Sequence, residues 1–287
     1  MSDFGGAVKD ISTYDIAILG VPYDGKSSYL KGPSGAPRAI RAASTVKAIN
    51  AWTELGINLE EDVTIVDLGD VEGAGDFSDI SLRVETGVEE ILKKEGRPIV
   101  LGGDHSVTLP VVRAMAKTYS DLDILHFDAH PDLYEELYGD PFSHACPFAR
   151  ILDEGLTKNL VQVGIRARTG AHRQKARAFD VRTITMSEWR DDLALAFSNP
   201  LYISFDVDAL DPAFAPGVSH HEPGGLSTRQ VINLIHSLEA DIVGMDVVEV
   251  NPDRDISGIT AAAAVKIIME AAAKMTLTIQ AKKKEAK

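Results

Sequence analysis

Short apolar runs recur along the chain, and they constrain its fold most strongly because most of them lack the polar alternation of half-buried strands. Such runs are typical of parallel strands that helices cover on both faces. Amphipathic stretches lie between them, so the sequence predicts a three-layer α/β fold around one sheet of eight parallel strands. The predicted strands are 15–21, 63–69, 97–103, 122–128, 159–165, 181–185, 200–206 and 240–250.

The stretches between the strands supply the predicted helices. Ser227 and Gln230 form a capping-box sequence ahead of an apolar run, which predicts the start of one of them. No repeat, low-complexity linker or change in composition divides the chain, so we expect a single domain over residues 1–287. The predicted helices are 79–95, 106–118, 145–155, 188–197, 227–239 and 259–275, with another beginning near Pro37.

Composition limits the classes of partner. The formal net charge of −14 disfavours nucleic acid and anionic lipid, and it favours metal ions and small cations. No apolar run reaches the ~18 residues of a membrane span, and no signal peptide is visible, so we expect a cytoplasmic protein. The single cysteine, Cys146, excludes an intramolecular disulfide and is expected to be buried filler.

Three polar clusters stand directly behind predicted strands. In open α/β sheets, ligands bind beyond the carboxyl ends of the strands, which is where these clusters would lie. Each cluster alone also has a structural reading as a turn or a helix cap, but such readings do not require so many carboxylates to converge. The clusters are GGDHS (102–106), DAHPD (128–132) and DVDALDP (206–212).

The spacing within two clusters predicts convergence. Residues two apart on an extended segment point to the same side, so Asp128, His130 and Asp132 are expected to face one crevice. Asp206 and Asp208 are expected to do the same.

His105, in GGDHS, adds a second imidazole from a neighbouring strand end. Four converging carboxylates cannot all ionise without counter-charge, and two divalent cations would neutralise them. An oxygen-rich set with a minority of imidazole and no thiolate favours manganese over zinc. A pair of such ions activates a water molecule for hydrolysis.

Residues 20–27, GVPYDGKS, match a phosphate-binding loop and point to a nucleotide hydrolase as a rival function. Such a loop runs directly into a helix and uses its backbone N–H groups as donors. Here Pro22 removes one donor, and Pro33 and Pro37 interrupt a helix that would begin at Ser27. We therefore interpret the segment as a loop that flanks the crevice.

The three polar clusters, together with a fourth motif near residue 249, resemble the signatures of the ureohydrolase (arginase/agmatinase) family. GGDHS, FDAHPD, SFDVDALDPAFAPG and DVVEVNP stand in the family's order, and the resemblance extends from about Gly20 to Met275. HFDAHPDLY, SHACPFARI and GVSHHEPGGLS resemble plant-type arginases more than animal-type ones. The resemblance implies an arginase/deacetylase-like fold.

The resemblance also implies a binuclear manganese site and the residues around it. His144 matches the family's proton-shuttling histidine, with an expected pKa near neutrality, and Glu249 matches the carboxylate that grips the guanidinium group. Asp132 is expected to pass a proton to the leaving nitrogen. One implied ligand set is His105, Asp128, Asp132 and Asp206; the other is His130, Asp128, Asp206 and Asp208, with Asp128 and Asp206 bridging.

The implied reaction is cleavage of a small cationic guanidino substrate to urea and an amine. L-Arginine to L-ornithine is favoured, agmatine to putrescine is the alternative, and other guanidino acids are more remote. Animal-type arginases place acids after a G-[LI]-R motif, but here VGIRARTGAH (163–172) has none, so we expect tail recognition from 133–143 and 219–222. The family also implies a homo-oligomer, a trimer or hexamer.

Two further functions stay open as alternatives. The first is a one-zinc deacetylase-like enzyme, which would not need His105 and Asp208 as metal ligands. The second is a catalytically silent homologue, which would not need to retain every expected ligand, whereas all of them are present. Of the other histidines, His126 is expected in the core, and His172 and His236 at a surface or on a helix.

Overall fold

Each of the eight predicted apolar runs forms a strand in the computed structural model, which describes residues 3–8, 12–46, 49–72 and 75–285. The strands are β1 (Ile16–Gly20), β2 (Ile65–Asp70), β3 (Arg97–Leu101), β4 (Asp123–Phe127), β5 (Asn159–Ile165), β6 (Arg182–Thr185), β7 (Ala196–Asp206) and β8 (Glu239–Val248). They form one sheet in the order β2-β1-β3-β8-β7-β4-β5-β6, and all neighbours are parallel. The predicted eight-stranded parallel sheet is confirmed.

Helices cover both faces of this sheet. They are α1 (Ala36–Ser44), α2 (Phe77–Lys93), α3 (Thr108–Thr118), α4 (Pro147–Asp153), α5 (Gly170–Ala178), α6 (Thr228–Ser237) and α7 (Ile259–Glu285). Ile40 of α1 and Ile268 of α7 belong to the apolar core on one face, whereas Val88 of α2 and Val112 of α3 belong to the other. The strands are therefore buried on both sides, as their lack of polar alternation requires. Among the described helices, none has the length and apolar character to cross a membrane.

The predicted helix at 188–197 is wrong. That stretch is turn and loop, and β7 already begins at Ala196. Leu195 is buried and Trp189 packs against the same core, so the apolar residues face the interior without helical periodicity. The carboxylate of Asp191 accepts hydrogen bonds from Trp189 Nε1 and Gln230 Nε2, both at 2.9 Å, and such side-chain bonds compete with helix formation.

Helix α5 was not predicted, because GAHRQKARA offers almost no apolar periodicity. Its start is fixed instead by a capping box, in which the Thr169 hydroxyl accepts from His172 N–H and the His172 ring accepts from Thr169 N–H. The predicted capping box at Ser227 and Gln230 is present at the start of α6.

The segment 20–27 forms a loop, in agreement with its interpretation from sequence. The Lys26 N–H donates to Asp104 at 2.8 Å, and the Lys26 ammonium binds Asp140 at 2.6 Å. A Cβ on Gly103 would lie 1.6 Å from the Tyr23 carbonyl oxygen, so glycine is needed where this loop passes. Both groups of Lys26 that would bind a phosphate, its backbone N–H and its ammonium group, are thus already engaged within the protein.

A buried ion pair joins α1 to β2. Arg41, 2% exposed, donates to both carboxylate oxygens of Asp67, at 2.7 and 2.9 Å, and also binds Asp70. Burial alone would raise the pKa of Asp67, but the hydrogen bonds from Arg41 hold it below its usual value. Asp67 is therefore ionised in the folded protein at neutral pH.

We expect Arg41→Met to lower the free energy of unfolding by about 3–5 kcal/mol, because it leaves buried carboxylates without their counter-charge. Denaturant unfolding measures the effect, and Arg38→Met, on an exposed position of the same helix, is the matched control. A depressed folded-state pKa contributes stability that is fully present above the unfolded value of about 3.9 and is lost as the pH falls from there through the folded-state pKa. The difference between wild type and Arg41→Met should therefore shrink as the pH falls below about 4; a constant difference would contradict this account.

Candidate metal centre

The three polar clusters meet at one edge of the sheet because their strands are neighbours. β3, β8, β7 and β4 are consecutive in the sheet, and they are the strands that precede the candidate residues. His105 follows β3, Glu249 follows β8, Asp206 ends β7 and Asp128 follows β4. All four are buried, so the candidate site lies at the carboxyl edge, where open α/β sheets bind ligands.

Convergence is reached through turns, not through the extended alternation that we expected. Asp132 has a φ of 50°, in the left-handed region, and a 3-10 helix begins directly after Asp206. Within these turns, Asp128 accepts the His130 N–H at 2.6 Å and Asp206 accepts the Asp208 N–H at 2.8 Å. Aspartate side chains commonly bind a backbone N–H two residues on, and this explains why the chain turns at both places.

The first half of the site surrounds the Nδ1 atom of His105. Carboxylate oxygens of Asp132, Asp128 and Asp206 lie 3.0, 3.2 and 3.3 Å from this nitrogen. The nitrogen is buried and makes no hydrogen bond of acceptable geometry with any described residue. Three acceptors thus converge on an atom that carries one hydrogen at most.

The other ring nitrogen of His105 indicates which tautomer is present. Nε2 lies 3.1 Å from the Ser204 hydroxyl, and that hydroxyl donates its own hydrogen to Asp246 at 2.8 Å. Ser204 must then accept from Nε2–H, so in a neutral ring the Nδ1 lone pair faces three carboxylates. A positive charge at Nδ1, either a proton or a metal ion, is required there. A divalent cation fits this donor set of one imidazole and several carboxylates.

The second half of the site contains His130. Its Nδ1 atom lies 3.0 Å from Asp208 and 3.4 Å from Asp128. Asp128, His130 and Asp208 together form a group of ligand atoms close enough to hold one ion. Because Asp128 belongs to both halves, its position suits a ligand shared by two ions.

The pKa values of these groups reflect their uncompensated charge. Burial, followed by Asp208 and Asp128, raises the pKa of Asp206 well above its usual value, and burial with Asp128 raises that of Asp208 to about 6. Burial would lower the pKa of His105, but the surrounding carboxylates raise it well above its usual value. The cluster needs positive charge to keep its carboxylates ionised at neutral pH.

His126, which we expected in the core, is buried there but also supports this cluster. Its Nδ1 lies 3.1 Å from the Gln162 amide nitrogen, and its Nε2 lies 2.8 Å from Asp128. Gln162 donates to Nδ1, so Nε2 carries the hydrogen and donates to Asp128. Although His126 is near enough to be grouped with His105 and Asp128 as a ligand, it has no free lone pair for an ion. Outer partners of this kind orient metal ligands.

His144 and Glu249 form a second polar pair beside the cluster. His144 Nδ1 lies 2.9 Å from Glu249 Oε1, and His144 Nε2 lies 2.8 Å from the Ser28 hydroxyl. Glu249 Oε1 also accepts a hydrogen bond from the backbone N–H of His105 at 2.9 Å. Burial would lower the pKa of His144, but Glu249 raises it to about 9, above the neutral value that we expected. The Oε2 atom of Glu249 is buried and has no partner among the described residues.

One cavity of about 390 Å³ connects these groups to the surface. His130, His144 and Glu249 line it, and so do two residues to which the sequence analysis gave no role, Arg168 and His172. His172 lies on α5, but at 4% exposure it is not a surface residue. The cavity therefore combines the carboxylate cluster with an outer wall that includes a cation.

Comparisons with known proteins show what the whole chain is similar to. A family model described as "Arginase family" matches residues 14–273. "Arginase 1, mitochondrial" of Arabidopsis thaliana is 45% identical over 91% of this chain and 81% of its own length, and "Agmatinase" of Proteus mirabilis is 37% identical over 95% and 90%. The structure titled "Arginase from Medicago truncatula" superposes with a TM-score of 0.86 at 43% identity, covering 92% of this chain and 88% of that one.

The comparisons correct one expectation. One arginase of Arabidopsis thaliana and that of Medicago truncatula are named mitochondrial, and a second arginase of Arabidopsis thaliana is named chloroplastic/mitochondrial. The prediction of a cytoplasmic protein conflicts with these names and is wrong. It depended on missing signals in the sequence, which were a weak basis for a location.

We expect Asp206→Asn to lose most of its capacity for Mn²⁺, because one of the converging carboxylates is removed. The same change should stabilise the metal-free protein at neutral pH, since a buried acid with a raised pKa destabilises the fold when ionised. Elemental analysis after loading and dialysis measures the metal, and a rise in melting temperature of about 2 °C or more is expected without it. Asp192→Asn, at an exposed position, is the control. Full metal content in Asp206→Asn would exclude Asp206 as a ligand.

Proposed function

Because the chain belongs to the arginase family, we propose that it is a metal-dependent hydrolase that converts L-arginine to L-ornithine and urea. Plant arginases at 43–45% identity support arginine over agmatine, since the agmatinase of Proteus mirabilis is 37% identical. The family match over residues 14–273 supports a single catalytic domain. By the same membership we expect a homo-oligomer, a trimer or hexamer.

We propose two manganese ions as the metal. The donor set supports this choice, because carboxylates and imidazoles without a thiolate suit manganese. When bound, the pair of ions supplies the Lewis acidity that activates water for attack at neutral pH. The proposed ligands are His105, Asp128, Asp132 and Asp206 for one ion and His130, Asp128, Asp206 and Asp208 for the other.

The observation that carries the proposal is the unpartnered Oε2 atom of Glu249. A buried acceptor without a donor is costly, and a guanidinium N–H in the cavity would satisfy it. Oε1 of the same carboxylate is already held by the His105 N–H, which fixes the orientation of Glu249 toward a substrate. Glu249 also has a φ of 63°, and backbone strain of this kind is common where a side chain must be aimed.

His144 and Asp132 are the proposed proton-transfer groups. His144 bridges Glu249 and the Ser28 hydroxyl, so a proton that it donates to the leaving amine is replaceable from the cavity side. Asp132, whose carboxylate lies 3.0 Å from His105 Nδ1, faces the same cavity and is proposed to pass a proton to the leaving nitrogen.

Urea release from manganese-loaded protein tests the function. We expect L-arginine to yield urea and L-ornithine in equal amounts, chelation to abolish release, and added Mn²⁺ to restore it. Asp206→Asn should release none under the same conditions. Release of urea from agmatine alone would favour the alternative reaction, and fully metallated protein without urea from either substrate would refute the proposal.

The proton-transfer role of His144 predicts a specific pH profile. Its pKa of about 9 in the free protein means that it is protonated at neutral pH, so kcat/KM should fall as the pH rises above about 9. His144→Asn should keep both metals, lower kcat by roughly 10²–10⁴-fold, and lose this alkaline limb.

His221→Asn is the matched control for His144→Asn, because His221 is exposed, does not line the cavity and, among the described residues, its ring bonds only the Pro216 carbonyl. An unchanged alkaline limb in His144→Asn would remove His144 from the proton transfer.

A further inference from the structure

The outer wall of the cavity carries one full positive charge. Arg168 lines the cavity, is exposed, and is its only lining arginine or lysine within the described residues. Its guanidinium group forms no hydrogen bond or ion pair in the described part of the chain. It contributes to the lowered pKa of Glu188 only after the hydrogen bonds from Thr185, which hold that carboxylate. The Arg168 donors are thus available to a ligand.

The backbone fixes Arg168 close to the metal-binding loop. The N–H groups of Arg166 and Ala167 both donate to the carbonyl of Ala129, at 2.9 and 3.0 Å. Ala129 lies between Asp128 and His130, so Arg168 follows a segment bonded directly to this loop. The Arg166 side chain adds a hydrogen bond to the Asp208 carbonyl at 2.7 Å. The segment that carries Arg168 is therefore positioned relative to both halves of the site.

A second donor stands beside Arg168. His172 is 4% exposed, lines the same cavity, and its Nε2 atom is buried without a partner among the described residues. Its Nδ1 accepts the Thr169 N–H, and burial lowers its pKa, so the ring is neutral and Nε2 carries a hydrogen. A buried donor without an acceptor is costly unless a ligand supplies one. Arg168 precedes α5 and His172 lies in its first turn, where the helix dipole favours an anion.

An anion at this wall belongs to the tail of the substrate, because Glu249 holds the guanidinium end of the cavity in the proposed function. Arginine ends in a carboxylate and agmatine does not. An arginine side chain recognises a carboxylate through two parallel hydrogen bonds, which agmatine cannot accept. A site with donors left unpaired discriminates strongly against the ligand that lacks the acceptor.

We infer that Arg168, assisted by His172, binds the carboxylate at the tail of the substrate and makes this chain selective for guanidino acids over decarboxylated guanidino amines. The inference rests on the proposed function and deepens it. It adds Arg168 to the expectation that tail recognition rests on loop 133–143 and residues 219–222, of which Tyr134, Leu137, Ser219, His220 and Glu222 line the same cavity. Arg168 occupies the stretch after the G-I-R motif in which no acidic residue for the α-amino group was found.

Three substrates distinguish recognition of the tail carboxylate from recognition of the α-ammonium group. L-Arginine has both groups, 4-guanidinobutyrate has only the carboxylate, and agmatine has neither. In Arg168→Gln, we expect kcat/KM for both carboxylate substrates, relative to agmatine, to fall roughly ten- to one-hundred-fold. The loss should appear in KM for the carboxylate substrates, because Arg168 is inferred to bind the tail of the substrate and not the group that reacts. Arg168→Lys should lose less, since it keeps the charge but not the paired geometry.

Arg173→Gln is the matched control, because it removes an exposed cation from the first turns of α5, close in sequence to Arg168 but at a position that does not line the cavity. An arginine-to-agmatine ratio that is unchanged in Arg168→Gln, or that falls equally in Arg173→Gln, would overturn the inference.

Product binding separates this inference from the proposed function. L-Ornithine and putrescine differ by the same carboxylate, so calorimetry on the manganese-loaded protein should show a preference for ornithine that Arg168→Gln loses. If no substrate releases urea but this preference holds, the proposed reaction is wrong and the carboxylate site stands. If urea is released but ornithine and putrescine bind equally well in wild type, the carboxylate site is wrong.

Discussion

The architecture of the site depends on like charges that are brought together and buried. Asp128, Asp206 and Asp208 lie at the carboxyl edge of the sheet with almost no exposure to water, and burial together with mutual repulsion raises the pKa of two of them. Folding alone gives no reason to hold such groups together, since it must overcome their desolvation and repulsion. Bound cations remove both costs. The cluster is therefore evidence of binding, and it sacrifices stability in the metal-free protein for a function.

The parallel sheet can tolerate this destabilising arrangement because its apolar core does not depend on the charged edge. β3, β8, β7 and β4 are adjacent in the sheet, and their apolar residues are buried between helices on both faces. Hydrophobic burial over this core offsets the cost at one edge, where the charged residues lie in the last part of the strands or just beyond them. Turn hydrogen bonds, such as that from the Asp208 N–H to Asp206, then fix the side chains locally.

Much of this was predictable because the signals are local. Buried parallel strands leave continuous apolar runs, and the polar clusters follow those runs directly, so eight strands and the converging carboxylates could be read from the sequence. The failures concern segments whose structure does not follow from apolar periodicity. The loop at 188–197 depends on Gln230 of α6, and α5 depends on its cap instead of an apolar stripe. His126 read correctly as buried, but only the structure shows that it donates to Asp128.

Arg168 illustrates the same limit at the level of specificity. A single exposed arginine forms no recognisable sequence pattern, so its role could not be predicted from the sequence. The structure indicates a role because hydrogen bonds to Ala129 bring the segment of Arg168 beside the metal-binding loop. The inner half of the cavity, with Glu249 and the carboxylate cluster, matches features that any guanidinium group has. Substrates of this class differ only at the other end, so discrimination must come from the outer wall. A loop at that wall can change its charge without disturbing the sheet or the cluster, which is why motifs that identify the reaction do not by themselves identify the substrate.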